Sequence, residues 1–131
     1  APGDRPNIAS VYLNRVKKGM PLGADPTIKF ALKDFAIKQI LYEHLKVQSP
    51  YNTYINKGLP PGPICTPQPG TIEAVLDAPQ TDYIFFVANS KFNGTHLFTT
   101  NLRDHENLAD LYRKEFKRRR DSVNKIQQPA Q

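Results

Sequence analysis

The chain has a single cysteine and no tryptophan. One thiol, Cys65 in the string Pro-Ile-Cys-Thr-Pro, permits no internal disulfide and so cannot distinguish an oxidising from a reducing compartment. No local base accompanies it to generate a thiolate, which argues against a cysteine nucleophile. The three histidines, His44, His96 and His105, are scattered and lack the spacing of a metal site. No cofactor motif is present either. Uninterrupted apolar runs fall well short of the ~20 residues that span a bilayer. The chain opens at Ala1 without a signal peptide, which reads as a piece cut from something longer.

What is present suits one globular α+β domain. Of 131 residues, 39% are hydrophobic and 23% charged, with 18 basic against 12 acidic side chains for a net charge of +6. Asp4 and Pro6 form a cap and first-turn pair, after which Ile8, Val11, Tyr12 and Val16 recur at helical spacing until Gly19, predicting a helix over residues 5–18. Asp25-Pro26 repeats the signal for a short second helix, with Asp25 read as its cap. Ile37, Ile40, Leu41 and Leu45 predict a third over 35–46. Residues 49–70 hold too many prolines for a helix or central strand and read as a long stiff loop. A short helix over 71–76 is followed by two strands, 83–88 and 95–100, joined through Asn93-Gly94 as a hairpin. Asn101 then caps a last helix reaching about Arg119, with a frayed tail beyond residue 120. Several short helices, a hairpin and a closing helix around one core, without alternating βαβ units, give the α+β class.

Two stretches stand out chemically. Residues 113–120 hold six basic side chains and one acid, a pattern that attracts phosphates, anionic cell-wall polymers or membrane surfaces, and that equally describes a solvated helix end. No nucleic-acid motif sits beside it, so a nucleic-acid partner is not expected. The string Tyr51-Asn52-Thr53-Tyr54 places two aromatic faces beside an amide and a hydroxyl. That combination stacks on sugar rings and hydrogen-bonds their substituents, or alternatively covers the core beneath a loop.

Ile8-Ala-Ser-Val-Tyr-Leu-Asn-Arg15, Lys18-Gly-Met-Pro-Leu22, Asp25-Pro-Thr27, Ser49-Pro-Tyr-Asn-Thr-Tyr54 and Gly58-Leu-Pro-Pro-Gly-Pro-Ile64 resemble, in order and spacing, the YceG-like family. The likeness continues through Thr81–Ala88, Gly94–Phe98 and His105. It implies a bacterial enzyme of the cell envelope, anchored at the periplasmic face of the inner membrane through an N-terminal segment not contained in this chain. Its substrate would be peptidoglycan glycan strands, cut within the strand with formation of a 1,6-anhydro muramic end, and its neighbours would include cell-wall synthesis proteins. No cofactor or metal is implied.

In that chemistry one carboxylic acid protonates the glycosidic oxygen and then assists ring closure by the muramic 6-hydroxyl, unlike the paired carboxylates of hydrolases. The family's catalytic Glu lies in a segment just before the stretch matching Asp4-Arg5, so the resemblance places it upstream of this chain. Glu43, Glu73, Glu106 and Glu115 match no such motif, no catalytic residue is assigned, and the chain alone is expected to be inactive. Glu43 and Glu73, the nearest substitutes, read as exposed helix faces. Position by position, the resemblance carries over Asn14, Asp25, Tyr51, Asn52, Thr53, Tyr54 and His96 as substrate-groove residues. Gly23 departs from the family, which commonly has Gln there. A glycan-binding module with no reaction of its own is the competing reading.

Overall fold

A computed structural model describes residues 2–127. Four helices, α1 (Arg5–Lys17), α2 (Asp25–Leu32), α3 (Pro69–Leu76) and α4 (Leu102–Gln127), accompany two strands, β1 (Phe85–Ala88) and β2 (His96–Thr99). This is the expected α+β class. The residues group into two compact units, one built from 1–11 and 79–131 and the other from 12–78, and α1 contributes to both.

In the first unit the hairpin pairs antiparallel, Phe85 opposite Thr99 and Ala88 opposite His96, and α4 packs on it. Both strands are shorter by one or two residues at their ends than their sequence predicts. Aromatic contacts hold the layer: Phe85 stacks on His105 at 4.9 Å and Tyr83 on Phe98 at 5.4 Å. Phe92 adopts a left-handed φ of 55° in the hairpin loop, which lays its ring on Tyr112 at 4.9 Å under the Arg119 guanidinium. Asn101 caps α4 as its sequence predicts, its Oδ1 accepting the Asp104 N–H at 2.8 Å. The helix runs past Arg119 to Gln127, carried through its charged stretch by pairs from Arg113 and Lys114 to Asp110, and from Arg118 and Arg119 to Glu115. Of the tail expected to fray, 121–127 is helical and 128–131 lies outside the described residues. Among the described residues no helix is long and apolar enough to cross a membrane.

In the second unit α1 ends where Gly19 turns with a φ of 67°, and Leu22 and Ile28 are buried. The helix predicted over 35–46 does not form. Only Tyr42–Lys46 coils, as a short 3-10 turn. Lys33 closes α2 in a left-handed conformation, and Asp34 Oδ1 takes the Ala36 N–H at 3.1 Å in a local turn. The Leu41 N–H goes to His44 Nδ1 at 2.9 Å, so side chains capture donors that a longer helix would need. Residues 49–68 form the predicted loop, bridged at Lys57 to Pro21, and α3 starts at Pro69, two residues earlier than expected, with proline in its first turn.

Candidate functional site

Within the second unit, the segment Leu22–Asp25 and the loop around Tyr54 are laced together. Asn52 is wholly buried. Its amide donates to Leu45 O at 2.9 Å and Val47 O at 2.8 Å, while its Oδ1 accepts the Tyr54 N–H at 2.9 Å. Thr53, also buried, accepts the Ala24 N–H at its hydroxyl (2.9 Å), meets the Thr27 hydroxyl at 2.8 Å, and its carbonyl accepts the Gly23 N–H at 3.1 Å. A wholly buried amide with both N–H groups donated and its oxygen engaged offers no exposed group to a ligand. Of the expected groove residues, Asn52 and Thr53 thus lie buried in the framework beneath Tyr54.

That framework fixes what stands above it. The Tyr54 hydroxyl donates a short hydrogen bond to Asp25 Oδ1 on the exposed first turn of α2. Asp25 does not cap its helix, contrary to expectation: Ala24 occupies the N-cap and no side-chain cap bond forms there. The Asp25 carboxylate is aimed across to the loop instead. Burial, reinforced by the hydrogen bond to Asp25 and its negative charge, raises the Tyr54 pKa well above the ordinary phenol range. Tyr54 is thus a firm donor at neutral pH.

Two further side chains of α1 join this face, Tyr12 and Arg15. Arg15 Nη1 donates to Leu22 O at 2.7 Å. Desolvation lowers the Arg15 pKa against the favourable influence of Tyr12 and Tyr54, and raises that of Tyr12. Gly23 makes room for both neighbours. Its φ is +59°, and a Cβ there would stand 3.3 Å from Arg15 Nη1 and 3.5 Å from the Tyr54 ring. Any side chain at position 23, a glutamine included, would be strained at that backbone conformation.

Tyr51 packs its ring on Phe30 at 4.6 Å, with its hydroxyl near Gly62, and is half-buried. Asn14 is half-buried on α1. In the first unit His96 opens β2, where Asp4 Oδ2 accepts its backbone N–H at 2.8 Å and lies 3.3 Å from Nδ1. Asp4, expected to cap α1, ends a 3-10 turn directly before the helix, and its carboxylate reaches the hairpin. The structure therefore brings Asp25 and Tyr54 together directly and adds Tyr12 and Arg15. Neither of these was marked by its sequence context, since both read as ordinary faces of an amphipathic helix.

No glutamate of the chain has the setting of a general acid. Glu43, Glu73 and Glu106 are exposed. Glu115 is partly covered, but hydrogen bonds from Arg118 and Arg119 hold its pKa at about 2, opposite to what proton donation near neutrality requires.

A family model described as the YceG-like family matches residues 1–110. A Bacillus subtilis (strain 168) protein named endolytic murein transglycosylase is 46% identical over 112 residues, 83% of this chain and 29% of that relative. A protein of the same name from Streptococcus pneumoniae (strain D39) is 32% identical over 112 residues, 82% of this chain and 20% of the relative. The crystal structure of a YceG-like protein from Listeria monocytogenes matches with a TM-score of 0.72 at 44% identity, covering 77% of this chain and 32% of that one. The chain thus spans under a third of the length of these relatives. With a family match that takes in both the hairpin and the whole Asp25–Tyr54 frame, the chain belongs to the YceG-like family.

Proposed function

We propose that this chain supplies part of the glycan groove of an endolytic peptidoglycan transglycosylase, and that the catalytic acid is provided by another part of the complete protein. The observation that carries this reading is the family match over residues 1–110, which includes every residue of the Asp25–Tyr54 frame. The relatives' name, endolytic murein transglycosylase, supplies the substrate class. The chemistry of the face agrees with it. Asp25 accepts hydrogen bonds from sugar hydroxyls, and the Tyr54 ring offers a surface for a pyranose. The rigid lacing through Asn52 and Thr53 keeps both in place before a ligand arrives, which reduces the ordering cost of binding.

Asn14 and Tyr51 are further glycan-facing positions of the second unit in this reading, with Asn52 and Thr53 beneath Tyr54, and His96 is a glycan-facing position of the first. The acid lies elsewhere because proton donation needs a desolvated carboxyl with a raised pKa. Among the twelve acidic residues, only Asp4 and Glu115 are not fully exposed, and each already holds donors. The complete protein then acts in the bacterial cell envelope, at the periplasmic face of the inner membrane, next to the machinery that builds the wall.

The test compares the 131-residue chain with the full-length protein on purified peptidoglycan, reading glycan co-sedimentation and release of anhydro-muropeptides. The chain is expected to bind without cleaving, and the full-length protein to do both. Release by the chain alone overturns the placement of the acid. Binding without release by the full-length protein favours a glycan-binding module, and absence of binding by either sinks the whole reading.

A further inference from the structure

The turn before α1 and the start of β2 meet in a carboxylate–imidazole pair separated by 92 positions in sequence. Asp4 Oδ2 accepts the His96 backbone N–H at 2.8 Å, which sets the carboxylate in place, and the same oxygen lies 3.3 Å from His96 Nδ1. An ionised carboxylate only accepts hydrogen bonds, so the proton of the neutral imidazole sits on Nδ1. Nε2 is then left as an acceptor. It makes no hydrogen bond among the described residues, and the side chain keeps 27% of its surface open to solvent against 18% for Asp4. The Phe86 ring meets the imidazole edge-on at 5.7 Å, and pairing of His96 with Ala88 holds its backbone.

From this we propose that Asp4 is a positioning residue that locks His96 in the Nδ1–H tautomer, so that Nε2 accepts a hydrogen bond from a hydroxyl of the glycan. The proposal deepens the transglycosylase reading and rests on it for the identity of the ligand. The resemblance marks His96 as a groove position; the assignment of a tautomer, an accepting atom and a dependence on Asp4 comes from the geometry. A neutral ring nitrogen backed by a carboxylate favours a hydroxyl donor and disfavours an anionic group, because the Asp4 charge repels anions.

His44 provides an internal reference. Its Nδ1 accepts the Leu41 N–H at 2.9 Å, which requires its neutral proton to sit on Nε2. The two histidines should therefore show opposite tautomers in one spectrum.

The experiment uses the 131-residue chain labelled with 15N-histidine at pH 8, above the ordinary imidazole range, with His96 assigned through His96→Gln. His96 is expected to show a protonated Nδ1 and unprotonated Nε2, and His44 the reverse. Asp4→Ala removes the one oxygen that faces both the His96 N–H and Nδ1, so His96 should lose its preference for the Nδ1–H tautomer while His44 is unchanged. Asp4→Glu should restore the native pattern. Titration with soluble peptidoglycan glycan fragments should move the His96 Nε2 resonance, and both Asp4→Ala and His96→Gln should weaken binding about ten-fold.

A wild-type His96 protonated on Nε2 overturns the proposal without reference to any ligand. Glycan binding that shifts Tyr54 resonances but leaves His96 Nε2 still, with native affinity in Asp4→Ala, overturns it while the transglycosylase reading stands. Absence of any glycan-induced change removes that reading and the hydroxyl contact together.

Discussion

Replacing Asn52 with alanine separates a framework residue from a ligand contact. In the folded chain its side chain is 0% exposed and makes three hydrogen bonds, to Leu45 O, to Val47 O and from the Tyr54 N–H. Truncation strands two carbonyls and one amide at once. A buried polar group left without its partner costs about 1–3 kcal/mol. Leu45, Val47 and Tyr54 are only partly covered, so water reaches the stranded groups in part. The lower end of that range then applies to each, and the total is about 3 kcal/mol. An asparagine serving only as a surface contact would change stability by less than ~0.5 kcal/mol on truncation. For a chain of this size the larger figure corresponds to a fall in Tm of roughly 10–15 °C. Urea and thermal unfolding followed by circular dichroism measure it, and hydrogen exchange at the Tyr54 amide reports whether the loop has loosened. If Asn52→Ala leaves stability and Tyr54 protection unchanged while abolishing glycan binding, the framework argument is refuted and Asn52 becomes a direct contact.

Alkaline titration followed by tyrosinate absorbance should show Tyr12 and Tyr54 ionising later than ordinary phenols at pH ~10, because burial penalises their charged forms. Their folded pKa values lie above the unfolded value, so the stability they contribute is complete below pH ~10 and is lost as pH rises beyond it. Tyr54→Phe should remove one late-titrating group, and simultaneous titration of all the tyrosines near pH ~10 contradicts this account. Gly23→Ala should cost about 1–2 kcal/mol, from a left-handed backbone and a Cβ pressed against Arg15. Gly19→Ala is the control, since its φ is +67° but nothing lies within 4 Å of the added Cβ. Denaturant midpoints read the difference, and equal losses would mean that the Arg15 and Tyr54 contacts carry no weight.

Much of the architecture follows from local rules that a linear string contains. Proline in the first turn of α2, the left-handed glycine after α1, the Asn101 cap and the apolar runs of the hairpin act within a few residues of themselves, so their elements form within a residue or two of where their spacing predicts. The third helix shows the limit. Its apolar spacing was sound, but Asp34 and His44 side chains took backbone donors, and periodicity does not register that competition. The motifs likewise singled out the segments that hold Asp25 and Tyr54, without assigning contacts within them. Tertiary structure decided that Asn52 and Thr53 lie beneath the surface, that Asp25 reaches Tyr54 across 29 positions instead of capping α2, and that Asp4 reaches His96 across 92. The physical reason is that a polar side chain pairs with whichever partner packing brings within about 3 Å. Separation along the chain does not specify that partner, so the elements can be read in one dimension while the working contacts require three.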